Sequence, residues 1–356
     1  MLNKKLSVLL LVGAMVTSLA ACSGSSGTAT APAASGGSSA PAAATTEAKT
    51  ITFAHSTAEG TSTNDAALKF KEYVEANSNG QLIVNVYPNA QLGGDRELIE
   101  NTQNGTVTAM LSAPAPQVSF VPAATVFDLP FVFDDIKHGR SVLNDPEFMA
   151  AISTQYKAAG FHYLGASGQG IRTLTSNKKV TSLEDLKGLT IRTMENKFHL
   201  KTWQLLGANP TPLAFNELYT ALQQGTVDAQ ENPIELVYSQ KFFEQQKYIM
   251  NTNHILQVNC WIMNQAFYDG LTDELKAVVD EAGKIAVETA NSVSDKKEPT
   301  YIETIKSNGC EFVEISDDEM AKLREKVKPV YEDIKAASDP ATYDAYMAAI
   351  EEHRSK

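Results

Sequence analysis

The spacing of apolar positions changes repeatedly along the chain, and each change marks an element. Ile51 to Ala54 is a short apolar run and the expected first strand. A polar loop, His55 to Asn64, follows it. Ala67, Phe70, Tyr73 and Val74 then recur at helical spacing. Leu82 to Tyr87 alternates apolar and polar residues, as a half-buried strand does. Gln91 to Glu97 opens a second helix, and Thr106 to Leu111 is a third strand. The apolar run Val126 to Phe133 contains a proline and reads as core at a crossover. Phe161 to Ala166 is a further strand, with glycines in its exit, Ser167 to Arg172. This βαβα order predicts a mostly parallel, doubly wound sheet.

The stretch 183–233 carries the densest signals. Leu189 to Ile191 is a short strand that ends at Arg192. A helix then starts near Glu195 or Asn196 and carries Leu200, Trp203 and Leu206, and Gly207 stops it. Asn209 to Pro212 reads as a rigid loop. Asn216 is placed to cap a helix over 217–224, and Val227 to Gln230 is a short strand broken by Asn232-Pro233. Arg192, Phe215 and Asn232 therefore all lie at ends of elements, where open α/β sheets bind ligands. Farther on, Asn259 to Met263 is a strand. Thr272 caps a helix that can run to about Ser307, with Pro299 as an expected kink. At 1.5 Å per residue such a helix is roughly 50 Å long, more than one lobe can cover. Glu311 to Ile315 is a late strand, and terminal helices follow from Lys322.

Composition sharpens the two ends of the chain. Lys4 and Lys5 precede an apolar stretch that closes on Leu19-Ala20-Ala21-Cys22, so residues 1–21 read as a secretory signal and Cys22 as a lipidation site. Residues 23–48, after Cys22, are Ser, Gly, Ala, Thr and Pro with a single acid. That composition cannot bury enough apolar surface to fold, and it reads as a flexible linker. The remaining ~308 of 356 residues suit two lobes rather than one core. Formal net charge is −12, and −14 once residues 1–21 are removed, which argues against a nucleic-acid partner. A local cationic site for an anion remains compatible with it. Cys260 and Cys310 can pair in an exported protein; two buried free thiols is the favoured reading. The six histidines show no HExxH pair, and Ser167 lacks the second glycine of a nucleophile elbow. No enzyme, cofactor or metal is expected.

Three segments, DLKGLTIRTMEN, LGANPTPLAFNELYTALQQGTVDAQENP and QKFFEQQKYIMNTNHI, closely resemble the extracytoplasmic substrate-binding proteins of TRAP transporters, the DctP-like family. The resemblance runs from about Ile51 to about Glu314. It implies an α/β, two-lobe periplasmic-binding-protein-like fold with a long helix bracing both lobes. The lobes are expected as 49–170 with 258–297, and 171–257 with 298–356. The implied function is an exported, lipid-anchored solute receptor. It would bind a small organic acid and deliver it to a small and a large membrane subunit. The ligand would be a sugar acid or related hydroxy acid, or else a C4-dicarboxylate. A ligand-sensing surface lipoprotein without a transport role is the alternative.

The same resemblance assigns roles residue by residue. Arg192 matches the arginine that pairs with the ligand carboxylate; only arginine offers planar paired donors for it. Arg172 matches a second arginine, Asn232 a ligand-contacting asparagine and Phe215 an aromatic packed on the ligand. Ser56, Thr57 and Glu59 stand where members contact the ligand's far end. Asn196 and His199 share a helix face with Trp203, which reads as core. The chain departs from the sialic-acid-binding branch: it has Ser112-Ala113 where that branch places a carboxylate, and Met194 where many members have proline.

Overall fold

The computed structural model describes residues 47–354. The calls on residues 1–21, on Cys22 and on the linker up to residue 46 lie outside the described residues. The chain runs β1 (Lys49–Ala54), α1 (Ser62–Asn77), β2 (Leu82–Tyr87), α2 (Asp95–Asn104) and β3 (Ala109–Ser112). Two largely buried 3-10 segments, Ala115–Ser119 and Pro122–Asp128, lead to α3 (Ile136–Leu143), α4 (Pro146–Ala158) and β4 (Phe161–Ser176). There follow β5 (Thr190–Thr193), α5 (Lys197–Leu205), β6 (Asn209–Pro212), α6 (Leu218–Gln223), β7 (Ala229–Asn232), α7 (Ile234–Ser239) and β8 (Tyr248–Asn264). The chain closes with α8 (Gln265–Asp269), α9 (Asp273–Ser307), β9 (Glu311–Val313), α10 (Asp317–Val327), α11 (Pro329–Ala337) and α12 (Pro340–Glu352).

Among the described residues the strands form one sheet in the order β2-β1-β3-β8-β4-β7-β5-β6, with β9 on β8. The expected parallel pattern holds at the two ends, where β1 pairs β2 and β3, and β5 pairs β6 and β7. The middle corrects it: β3–β8, β4–β8 and β4–β7 are antiparallel. The short strands seen in the sequence at 161–166 and 259–263 are parts of β4 and β8, of 16 and 17 residues. Polar residues inside both strands hid their length. The two strands link the lobes: Leu164 and Trp261 lie in the first lobe's core, Leu174 and Met250 in the second's. Their pairing register slips between Gly168 and Ile171, where Gly170 sits at φ +106, a conformation that suits glycine.

Two further expectations are corrected locally. Asn209 to Pro212 is not a loop but the edge strand β6. Proline is tolerated there because an edge strand has one side without partners. Asn216 does not cap a helix: it lies in a 3-10 turn, Phe215–Glu217, and α6 starts after it without a side-chain cap.

Helix α9 is an unbroken 35-residue span through Pro299, capped by Thr272 as its sequence indicates. Its first part packs Leu275, Val279, Ala282 and Ala286 into the first lobe's core with Phe53, Phe70 and Trp261. Its last turns place Tyr301 and Ile305 in the second lobe's core with Leu218, Val237 and Phe242. A Cβ at Gly283 would lie 3.0 Å from the Leu164 carbonyl oxygen, so α9 sits directly on β4. Helix α10 joins the second lobe through Leu323 and Val327. Val330, Ile334, Tyr343 and Tyr346 of α11 and α12 join the cluster that holds Phe148 and Phe161. Cys260 and Cys310 are both buried free thiols.

Candidate functional site

A cavity of about 250 Å³ lies between the lobes. The first lobe lines it with the loop after β1 (Ser56, Thr57), the start of α2 (Asp95) and the exit of β3 (Ser112, Ala113). The second lobe contributes Arg172 of β4, Arg192 of β5, Asn232 of β7 and the segment around Phe215 and Asn216. Gln257 and Asn259 of the shared strand β8 form part of the lining. Most of these positions are strand ends or helix starts, where backbone groups and side chains are not consumed by the sheet.

Arg192 is 2% exposed. Its Nε and Nη2 donate to the Leu213 carbonyl oxygen at 3.0 and 2.8 Å, and its Nη1 has no partner. Burial, and then the neighbouring Arg172 charge, pull its pKa down to about 10, so it stays a cation at neutral pH. A buried guanidinium with an unused donor on a cavity wall is a site for an anionic oxygen.

Arg172 is as deeply buried but already engaged. Its Nε pairs with the Glu231 carboxylate, Nη2 donates to Glu231 Oε1 at 2.8 Å and to the Glu231 carbonyl oxygen, and Nη1 donates to Gln257. His254 Nε2 lies 3.0 Å from the same carboxylate. Burial alone would raise the Glu231 pKa, but Arg172 and His254 together hold it well below the usual carboxylate range. Burial keeps the His254 pKa below its ordinary value, against the pull of Glu231.

Of the other sequence candidates, Asn232 lines the cavity and donates its Nδ2 to Gln230. Phe215 lines it too and meets Phe242 edge to face at 6.1 Å. Ser56 donates to Asp95 at 2.6 Å, and Thr57 bonds His55 Nδ1 at 2.9 Å and Thr63 at 2.8 Å. Glu59 is exposed and not part of the lining. Asn196 is also outside it: it caps α5 at the Phe198 and His199 N–H groups and donates across the lobes to Asp128 at 2.7 Å. His199 Nε2 meets the other oxygen of Asp128 at 2.9 Å, and Trp203 is core.

Asp95, Asn216, Gln257 and Asn259 line the cavity and were not singled out from the sequence as site residues. For Gln257 and Asn259 a signal existed. They are polar, two apart, and hence on one face of the otherwise apolar run 255–263. Asp95 follows two glycines at a helix start and carried no sign that it would face a cavity. Its pKa is raised, by burial first, with Ser56 and Arg192 opposing the rise.

The family model for bacterial extracellular solute-binding proteins, family 7 (DctP), matches residues 53–338. A solute-binding protein of Verminephrobacter eiseniae is 38% identical over 229 residues, 64% of this chain and 68% of that one. The C4-dicarboxylate-binding periplasmic protein DctP of Rhodobacter capsulatus is 32% identical over 308 residues, 85% of this chain and 91% of its own length. Among solved structures, the sugar acid binding protein DctPAm of Advenella mimigardefordensis in complex with galactonate superposes with a TM-score of 0.82. It shares 30% identity and covers 86% of this chain and 99% of its own.

Proposed function

The chain belongs to the bacterial extracellular solute-binding proteins of family 7, and from that premise we propose that it is the extracytoplasmic receptor of a TRAP-type transporter. It captures a small organic acid between its lobes and delivers it to a small and a large membrane subunit. The similar proteins named for C4-dicarboxylates and for sugar acids support that class of ligand. The observation that carries the reading is Arg192: a buried cation with an unpaired Nη1 on the wall of the inter-lobe cavity. The acid's carboxylate binds there. Arg172 forms the wall beside it, with its own charge already matched by Glu231.

The rest of the lining favours a sugar acid or related hydroxy acid over a dicarboxylate. Ser56, Thr57, Asn216, Asn232 and Asn259 offer hydroxyl and amide partners. Asp95, when ionised, accepts from a ligand hydroxyl and repels a second carboxylate. Exchange of lobe contacts on binding gives the closed receptor, since closure follows only from differential affinity. In that closure 49–170 moves with 258–297, and 171–257 moves with α9's last turns and α10; α11 and α12, expected with them as part of 298–356, pack on the first lobe's cluster and move with it. Export and anchoring through Cys22 complete the proposal. Calorimetry on refolded, ligand-free protein with galactonate, galacturonate and succinate tests it. Micromolar or tighter binding of a hydroxy acid, with succinate weaker, is expected. Failure of every small carboxylate to bind would reject the reading.

A further inference from the structure

Glu235, on α7 of the second lobe, is 3% exposed, and its partners are all neutral. Its Oε1 accepts the backbone N–H of Ser62 at 2.6 Å, and its Oε2 accepts the Ser62 hydroxyl at 2.6 Å. Ser62 is the first residue of α1, in the first lobe, so the carboxylate sits on the positive end of that helix from across the cleft. The third donor is Gln169 Nε2, from β4 at the point where the register slips. One carboxylate therefore ties together the first lobe, the second lobe and the strand that joins them.

The tie continues to the cavity. Gln169 Oε1 accepts from Asn259 Nδ2, Asn259 Oδ1 accepts from Gln257 Nε2 at 3.2 Å, and Gln257 Oε1 accepts from Arg172 Nη1. Every member is buried. The direction of this chain is fixed at both ends, because a guanidinium can only donate and a carboxylate can only accept. Each of the three amides between them has a single orientation that satisfies its neighbours. None can flip without placing donor against donor or acceptor against acceptor.

We infer that Glu235 is a positioning residue that locks the lobes together and is coupled through Gln169, Asn259 and Gln257 to the cavity wall at Arg172. This rests on the reading above, in which the lobes close over an acid. When the lobes part, Ser62 leaves the carboxylate, and Glu235 is satisfied by water instead. When they close, Glu235 gains charge-assisted bonds from groups that make no contact with the acid. Its effect is therefore the same for every acid that closes the receptor. A glutamine there has one acceptor oxygen for two N–H donors, those of Ser62 and Gln169, so its own amide must oppose one of them.

Binding of galactonate, galacturonate and succinate to Glu235→Gln and to Ser62→Ala, by calorimetry and stopped-flow, tests the lock. In Glu235→Gln, Kd rises about tenfold for each acid that binds the wild type, or about 1.4 kcal/mol. The rise comes from koff, and the ratios between acids stay within twofold. Ser62→Ala, which keeps the backbone donor, gives a smaller rise of the same kind. A Kd within twofold of wild type for all acids overturns the inference. So does a change confined to one acid, which would make Glu235 a ligand contact. Hydrogen exchange of residues 61–64 in the unliganded protein separates the two readings. Faster exchange in Glu235→Gln supports the lock even if none of the three acids binds, an outcome that would reject the proposed function alone. Exchange equal to wild type overturns the lock.

Discussion

Arg172 and Arg192 line the same cavity and are buried to within a percent of each other, yet they are chemically different cations. Arg172 meets a full carboxylate, a backbone carbonyl and an amide oxygen, so four of its five N–H donors are matched inside the protein. Arg192 rests on one carbonyl oxygen and keeps Nη1 unmatched. Both stand at positions where arginine can bind a carboxylate. What separates them is residual hydrogen-bonding capacity, which depends on neighbours from other strands. In the proposed reading Arg172, expected from the resemblance to touch the ligand, serves as a structural ion pair, and Arg192 is the group left to bind.

The largest effect expected from this contrast is on stability. Arg172→Ala leaves Glu231 buried without its cation, which costs about 3–5 kcal/mol of unfolding free energy. Urea titration reads it directly. Replacing Glu231 as well, in Arg172→Ala/Glu231→Gln, recovers part of the loss because no charge is then stranded. Acid titration gives an independent check. Glu231 is held below its unfolded value of 4.5, so its contribution is present above that pH and is lost as pH falls through the lowered folded value. Without Arg172 that acid limb is weaker. An Arg172→Ala protein as stable as wild type that has lost over a hundredfold in affinity would reverse the two roles.

Arg192→Ala is expected to act on binding instead. Truncating one side of a buried charge pair costs about 2–5 kcal/mol, or roughly 30- to 5000-fold in Kd. Unliganded stability should fall little, since removing Arg192 strands no carboxylate. Arg192→Lys should recover part of the affinity, because an ammonium cannot make the planar double contact. Calorimetry with galactonate is the measurement, and an Arg192→Ala protein within threefold of wild type would remove Arg192 from the site.

The contrast between the arginines was only half legible in the sequence. Apolar periodicity placed β1, α1, β2 and α5 close to their observed bounds, and Thr272 with the stripe after it gave α9. These elements are defined by local spacing. The long strands β4 and β8 were not, because their middles carry Gln169, Arg172, Gln257 and Asn259, which interrupt the apolar pattern that marks a strand. The same polar residues build the cavity wall and the chain to Glu235, so the function of the region is what obscured its form. The sequence brought Arg192, Arg172 and Asn232 to element ends. It could not show that Glu231, next to Asn232, reaches Arg172 across an antiparallel pair, because β4–β7 pairing is non-local. Nor could it separate Ser56 and Thr57, which line the cavity, from Glu59 two residues on, which does not.

The smallest effect tests how Arg192 differs from Arg172 in its response to the far wall. Asp95 lies in the field of Arg192, whereas Arg172 has its own carboxylate. Burial raises the Asp95 pKa above its ordinary value of 3.8, so Asp95's favourable share of folding is complete below that pH and is lost as pH rises through the raised value. Above that window the ionised carboxylate opposes a second negative charge in the cavity and attracts a hydroxyl donor. Asp95→Asn removes the charge and keeps the shape. It should tighten succinate and weaken galactonate, shifting the ratio of their Kd values by about tenfold, on the order of 1.4 kcal/mol. Lowering the pH through the Asp95 pKa should move the wild type in the same direction, and Asp95→Asn should show no such drift. Calorimetry of both acids across that range decides it. An unchanged ratio in Asp95→Asn would place the far end of the ligand away from Asp95, and selection between hydroxy acids and dicarboxylates would then rest on Asn216, Asn232 and Asn259.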